Sequence, residues 1–300
     1  MVMEFMDTSE LFNRINDGVV SERIHAIARN IGMNGYMIRR HGGLSPVVNE
    51  LKNRHCIIAG AGASLDGGIR DLRRIAMRNS VVVISTDMAY CALIRQGITP
   101  EYAISCETTP RDFFSGCDTS KSVLLAFSGV CPRIVREWKG AVRFYNWMVK
   151  GDPYDELWKR AGVELGFVAT GSSVSTQAVS MAMGCGIKSI LLAGNDFGFY
   201  DSMYARGVIR NDDVYRESTR RSPVPSIAFG QCRAARHYII KRDKNYYTNH
   251  QFLAAKQWLE SLFLSHGSGV YDAGIPGCAG KNIEKMNVRD YAERIVGSGR

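Results

Sequence analysis

No stretch of this 300-residue chain approaches 18 uncharged apolar residues, and its longest apolar runs are strand-length pieces such as Val81-Val82-Val83-Ile84, which excludes a membrane-spanning helix. Residues Met1 to Asn16 carry acids where a secretory signal has a basic start and then an unbroken apolar block; no export is expected, and a cytoplasmic location is. The eight cysteines include no C-x-x-C pair and no neighbouring histidine at metal-ligand spacing, so the usual zinc patterns are excluded and reduced core thiols are expected. Zinc-finger spacing, an RNP-type aromatic motif and a long basic helix are also missing, which argues against nucleic acid as the partner. There is no internal repeat and no low-complexity tract. At 45% hydrophobic and 22% charged residues, the chain has too much apolar matter for disorder to be its main state.

What the sequence does have is regular alternation. Residues 1–50 read as a helical preface, with Leu11, Ile15, Ile24, Ile27, Ile31 and Tyr36 at loosely helical spacing. Buried strands are expected at His55–Ala59, Val81–Ser85, Tyr102–Cys106, Val123–Phe127, Val142–Trp147 and Ser189–Ala193. Between them the spacing predicts helices at Leu65–Met77, Met88–Gln96, Arg133–Trp138, Tyr154–Arg160 and Ser173–Cys185. Near-continuous apolar strands alternating with helices imply an α/β fold, a doubly wound, mostly parallel, Rossmann-like sheet covered on both faces. The expected division is a helical segment 1–50, an α/β core 51–197, an irregular basic insertion 198–246, and a C-terminal return to the core at 247–300. In that return a helix is expected at Phe252–Leu264, a short strand at Gly269–Tyr271 and a last helix at Val288–Val296. Met203 to Lys244 holds ten Lys/Arg against four Asp/Glu, a local excess of +6 within a chain of net charge +9. Such a segment suits an anionic partner, although a solvated loop accounts for it equally well.

Four constellations fall at carboxyl ends of the expected strands, where open α/β sheets bind ligands. Gly60-Ala61-Gly62-Ala63-Ser64 breaks the first strand into a helix start, a cradle of N–H donors for a phosphate or simply a tight turn. It is neither the full dinucleotide fingerprint, since Leu65 stands at the third glycine, nor a Walker loop. Thr86-Asp87 and Glu107-Thr108-Thr109 follow the next two strands; Asp87 suits a ribose hydroxyl and equally a helix N-cap. Thr170-Gly171-Ser172-Ser173 offers hydroxyls and N–H groups at another helix start, with a capping box as the plain alternative. Gly194-Asn195-Asp196-Phe197 ends an apolar strand with a carboxylate for a sugar hydroxyl, a metal or the next loop's backbone. His250, with His237 as its rival, is the candidate general base.

Taken with Gly97-Ile98-Thr99-Pro100-Glu101 and Tyr204-Ala205-Arg206-Gly207, these motifs resemble the motility-accessory-factor (Maf) family of flagellin glycosyltransferases, which shares its domain with the archaeal 6-hydroxymethylpterin diphosphokinase (MptE-like) proteins. The likeness to that family covers roughly residues 30–295, including Asn30 and Asn34, and the family in turn resembles bacterial sialyltransferases that use CMP-sialic acid. The resemblance implies an enzyme that moves a sialic-acid-like (nonulosonic) sugar from a CMP donor to a hydroxyl of a protein or glycan, without a required metal or further cofactor. In that scheme Gly60, Gly62, Ala63, Ser64, Thr86, Asp87, Glu107, Thr170, Gly171, Ser172, Ser173 and Asn195 surround the nucleotide, and Asp196 counts among the catalytic residues together with Tyr204 and His250. Tyr204, eight residues after Asp196, steadies the departing phosphate. His250 deprotonates the acceptor, and Arg206, Arg210, Arg220 and Arg221 close over the donor. Gly198 stands where a second tyrosine is expected, and Glu107 where an asparagine is. The diphosphokinase branch implies instead Mg²⁺ and ATP. Its acidic strand end is Cys106-Glu107-Thr108 here, one carboxylate in place of two. A non-catalytic nucleotide- or polyanion-binding protein is the third alternative, and the oligomeric state is left open.

Overall fold

The computed structural model describes residues 8–200, 202–208, 239–243, 246–265, 269–275 and 277–297. Two helices lead, α1 (Thr8–His41) and α2 (Ser45–Leu51), before β1 (His55–Ala59), α3 (Leu65–Ile75), β2 (Val81–Thr86), α4 (Asp87–Arg95) and β3 (Tyr102–Ser105). The chain continues through β4 (Val123–Phe127), α5 (Pro132–Glu137), β5 (Val142–Trp147), α6 (Tyr154–Ala161), β6 (Phe167–Val168), α7 (Val174–Gly184) and β7 (Ser189–Ala193). It closes with β8 (Ile239–Asp243), β9 (Tyr246–Asn249), α8 (His250–Ser265), β10 (Val270–Asp272), β11 (Ile283–Lys285) and α9 (Val288–Tyr291), which runs into a π-helical turn at Ala292–Val296. Nine strands form one sheet in the order β11-β10-β7-β1-β2-β3-β4-β5-β6. Every pairing within it is parallel, while β8 and β9 make a separate antiparallel hairpin. This is the doubly wound α/β sheet expected from the alternation.

The central strands are buried along their whole length because each face of the sheet has its own helix layer. Successive side chains alternate between two cores. Cys56, Ile58, Val82, Ile84, Ile190 and Leu192 enter the core shared with α1, α5, α7 and α8; Ile57, Ala59, Val81, Val83, Leu191 and Ala193 enter the one shared with α3, α4 and α9. Burying a Val or Ile side chain stabilises by roughly 1.5–3 kcal/mol, so these short strands supply much of the drive to fold. Helix α1 is part of the first core through Ile27, Ile31 and Ile38. Its buried Asn30 and Asn34 each donate twice to backbone carbonyls: Asn30 to Thr108 (2.9 Å) and Gly129 (3.0 Å), Asn34 to Ser128 (3.1 Å) and Val130 (2.9 Å).

Two expectations need correction. The cysteines are not all reduced: Cys91 of α4 is bonded to Cys117 in the loop after β3, while Cys56, Cys106, Cys131, Cys185 and Cys278 are free. The 26-residue separation of the bonded pair carried no spacing signal. Part of the stretch read as irregular, Ile239–Asp243 and Tyr246, pairs in the β8–β9 hairpin; most of the remainder, including Arg210, Arg220, Arg221 and His237, lies outside the described residues. Strands β6 and β11 were also not expected; at two and three residues they are too short to show alternation. Among the described residues no helix is long and apolar enough to cross a membrane.

Candidate functional site

The order of the sheet reverses at β1: the chain proceeds from β1 outward through β2, β3 and β4, then returns to lay β7 on the other side of β1. A crevice outside the carboxyl ends of the strands must open at that switch point. A cavity of about 320 Å³ occupies it. Its walls come from the β1 loop (Ala61, Gly62), the ends of β2, β3 and β5 (Thr86, Asp87, Cys106, Glu107, Trp147), the start of α7 (Thr170, Ser172 to Ser175, Gln177), the β7 loop (Gly194 to Gly198) and Tyr204. Arg23 reaches it from α1, Phe113 from the loop after β3, and Gln251 and Phe252 from α8.

The β1 and β7 loops are built against each other. A Cβ on Gly60 would stand 2.4 Å from the Gly194 carbonyl oxygen, and one on Gly62 would stand 2.5 Å from Asp196 Oδ2. Gly194 itself has φ +68° and packs onto the Gly60 carbonyl. The glycine pattern is thus required by loop-to-loop contact. The N–H of Gly62 donates to the Gly194 carbonyl (2.8 Å), and the N–H of Ser64 donates to Asp196 Oδ2 (2.9 Å) while Ser64 Oγ donates to Oδ1. The anion seated on this helix start is therefore the protein's own Asp196, which also accepts from the Ile275 N–H (3.2 Å). Burial pushes the Asp196 carboxyl above its ordinary range, opposed by those hydrogen bonds. Tyr204 is tied to the same loop by an antiparallel bridge to Gly62, with the Ala205 N–H donating to the Ala61 carbonyl (2.9 Å).

Asp87 is 4% exposed at the end of β2 and accepts from its neighbour Met88 N–H (2.9 Å) and from Ser105 Oγ (2.8 Å). Burial pushes its pKa up to about 7, and the Glu107 carboxylate adds to the rise. Glu107 is held by the N–H (3.0 Å) and hydroxyl (2.8 Å) of Thr109, with Arg23 at 3.9 Å. At α7 the capping reading is realised: Ser173 Oγ accepts from the Thr176 N–H (3.3 Å), and the Gly171 N–H donates to Thr176 Oγ1 (2.8 Å). Gly171 is outside the cavity wall, and a Cβ there would meet Trp258 at 2.6 Å. Ser172 takes φ +66° and its carbonyl accepts from Gln251 Nε2 (2.9 Å).

Of the expected site residues, the fold gathers Gly62, Thr86, Asp87, Glu107, Thr170, Ser172, Ser173, Asn195, Asp196 and Tyr204 around one cavity. Gly60, Ala63 and Ser64 do not line it, although Ser64 holds the carboxylate of the wall residue Asp196. His250 is exposed at the first residue of α8, immediately before two wall residues. Arg206 does not join the wall: its side chain is 86% exposed and pairs with Asp66 (3.7 Å). A side chain at Gly198 is precluded, since a Cβ there would collide with the Tyr246 ring. Sequence reasoning missed Arg23, Cys106, Phe113, Trp147, Gln177 and Phe252. Gln177 alone carried a signal, as an amide among the small hydroxyl and apolar residues of α7.

The chain is an α/β protein with an all-parallel, doubly wound sheet and a cavity at its switch point, the place where such sheets bind ligands. The family described as 6-hydroxymethylpterin diphosphokinase MptE-like matches residues 29–202. The chain belongs to this MptE-like family. Among solved structures it is similar to a Maf glycosyltransferase from Magnetospirillum magneticum AMB-1, with a TM-score of 0.52 and 15% identity. That likeness covers 79% of this chain and 34% of the other, so the chain spans about a third of that protein's length. No curated protein matches it.

Proposed function

We propose that the protein is a glycosyltransferase that takes a sialic-acid-like sugar from a CMP-activated donor and places it on a hydroxyl of a protein or glycan. The observation that carries this reading is the seat of Tyr204. Its backbone is fixed to the β1 loop and it lines the same cavity as the hydroxyl-rich start of α7, an arrangement that suits a phosphate held in that cavity. In the proposed reaction the bond from the anomeric carbon to the phosphate oxygen breaks and its electron pair leaves with CMP. The Tyr204 phenol donates to that developing charge. The acceptor oxygen bonds to the anomeric carbon, and its proton passes to a base, for which His250, exposed next in sequence to the wall residues Gln251 and Phe252, is the candidate. Arg23, and the arginines of the basic segment, would balance the donor's charge.

The family match favours a second reading, an Mg²⁺- and ATP-dependent diphosphokinase. The residues present suit it less well. Asp87, Glu107 and Asp196 each already accept protein donors, and among the described residues no three His, Cys, Asp or Glu side chains converge on a common point that could hold a metal. A thermal-shift comparison separates the two, because a ligand that binds only the folded state raises Tm. CMP is expected to raise it, with the rise persisting in EDTA; a rise only with ATP and magnesium, or with 6-hydroxymethylpterin, would move the assignment to the diphosphokinase. Tyr204→Phe is expected to lower kcat by about 10²-fold with CMP affinity nearly unchanged, whereas an equal loss of affinity would remove Tyr204 from the phosphate role.

A further inference from the structure

Gln177 sits one turn into α7, 1% exposed, on the wall of the cavity. Its Oε1 accepts from Tyr145 OH (2.6 Å) and Trp147 Nε1 (3.1 Å). An indole N–H only donates, so the oxygen of the amide must face that side and the NH2 group the other. There Nε2 donates to Thr170 Oγ1 (3.2 Å) and to Cys106 Sγ (3.2 Å). Burial and the Asp87 carboxylate keep the Cys106 thiol protonated, with its pKa pushed up to about 12, and a neutral thiol is among the weakest acceptors a protein offers. One donor of an immobilised amide is therefore poorly paired at a cavity wall, where a ligand oxygen or ring nitrogen would replace sulfur at a gain. The neighbouring wall is aromatic: Trp147, braced by Phe127 in a parallel stack at 4.0 Å, with Phe113 and Phe252.

From this juxtaposition we propose that Gln177, Cys106 and Trp147 form a subsite for a planar heterocycle, in which the Gln177 amide reads a carbonyl oxygen or unprotonated ring nitrogen on the ring edge. The proposal rests on the nucleotide-donor reading above, with the cytosine of CMP as the ring. A pterin presents the same acceptor chemistry, and the experiment distinguishes the two. Calorimetry on the full chain compares CMP, ribose 5-phosphate and 6-hydroxymethylpterin. Gln177→Glu keeps an oxygen for Tyr145 and Trp147 but loses the amide donors. It is expected to weaken CMP about tenfold more than it weakens ribose 5-phosphate, because any added charge acts on both phosphates alike whereas the lost hydrogen bond acts on the base alone. Cys106→Ala removes only the competing sulfur and is expected to bind CMP at least as tightly as wild type. A tenfold loss there, or a folded Gln177→Glu protein that weakens both ligands equally or neither, overturns the subsite while leaving the CMP reading standing. If wild type binds the pterin and not CMP, a tenfold pterin loss in Gln177→Glu upholds the subsite and overturns the CMP donor. A wild type that binds neither ring overturns both.

Discussion

Residue by residue, the site is defined by what its glycines stand against. The order Gly60, Gly62 and Gly194 is a visible pattern in the sequence, yet the partner that makes each one necessary is more than a hundred positions away. Gly62 leaves room for the Asp196 carboxylate, which in turn holds the amide and hydroxyl of Ser64. Alanine at Gly62 is expected to destabilise by about 1–3 kcal/mol, because a Cβ at 2.5 Å from a fixed oxygen forces the loops apart. The control lies five residues on. Nothing stands within 4 Å of a Cβ on Gly67, inside α3, so Gly67→Ala is expected to stabilise by about 0.5–1 kcal/mol. Urea unfolding of the two variants checks both signs. If Gly62→Ala is as stable as Gly67→Ala, the contact between the β1 and β7 loops is not what requires the glycine.

At the scale of elements, α1 shows how helix pattern and helix role come apart. Asn30 and Asn34 lie four residues apart on one face and together satisfy four carbonyls in the loops after β3 and β4. Asn34→Leu would leave the Ser128 and Val130 carbonyls without that donor in a buried place, and is expected to cost about 2–4 kcal/mol in chemical denaturation. The double variant with Asn30→Leu should cost less than the sum, since both asparagines brace the same turn. The same helix delivers Arg23 to the cavity wall. The strand-and-helix order was legible because apolar runs of five or six residues and 3.6-residue periodicity are local signals: β1, β5 and β7 fall where the runs do. The strand-end residues Thr86, Asp87, Glu107, Asn195 and Asp196 were legible too, because a parallel sheet puts every such end on one side. Arg23, Trp147 and Phe252 were not, since nothing in their own segments says which loop they will meet. The free state expected for Cys91 and Cys117 failed for the same reason, as that pairing is set by how the loop after β3 folds over α4.

For the molecule as a whole, the buried carboxyls link stability to the chemistry of the cavity. Asp87 holds its proton to about pH 7 in the folded chain, whereas the ordinary value is 3.8. Burial raises Asp196 and Asp272 in the same direction. Between those limits the folded state binds more protons at Asp87 than the unfolded one, so the stability Asp87 contributes is complete below about pH 4 and is lost as pH rises through 7. His41 and His55 act oppositely: burial lowers both, so their share of stability is present above the ordinary histidine value of 6.5 and is lost as pH falls. Asp87→Asn removes only the first contribution. The difference in unfolding free energy between wild type and Asp87→Asn should therefore move against wild type from pH 4 to 7, with a slope of up to about 1.4 kcal/mol per pH unit for one proton. The consequence for the site follows from the same proton. A neutral Asp87 adds no repulsion toward a phosphate in a cavity that already contains Glu107 and Asp196, whereas its carboxylate does. CMP affinity in wild type is thus expected to fall relative to that of Asp87→Asn as pH rises from 6 to 8, read by calorimetry at constant ionic strength, since the ligand's own phosphate, with its second pKa about 6, titrates alike for both proteins. Parallel pH profiles in the two proteins would mean that Asp87 is not the group that sets the charge of the cavity.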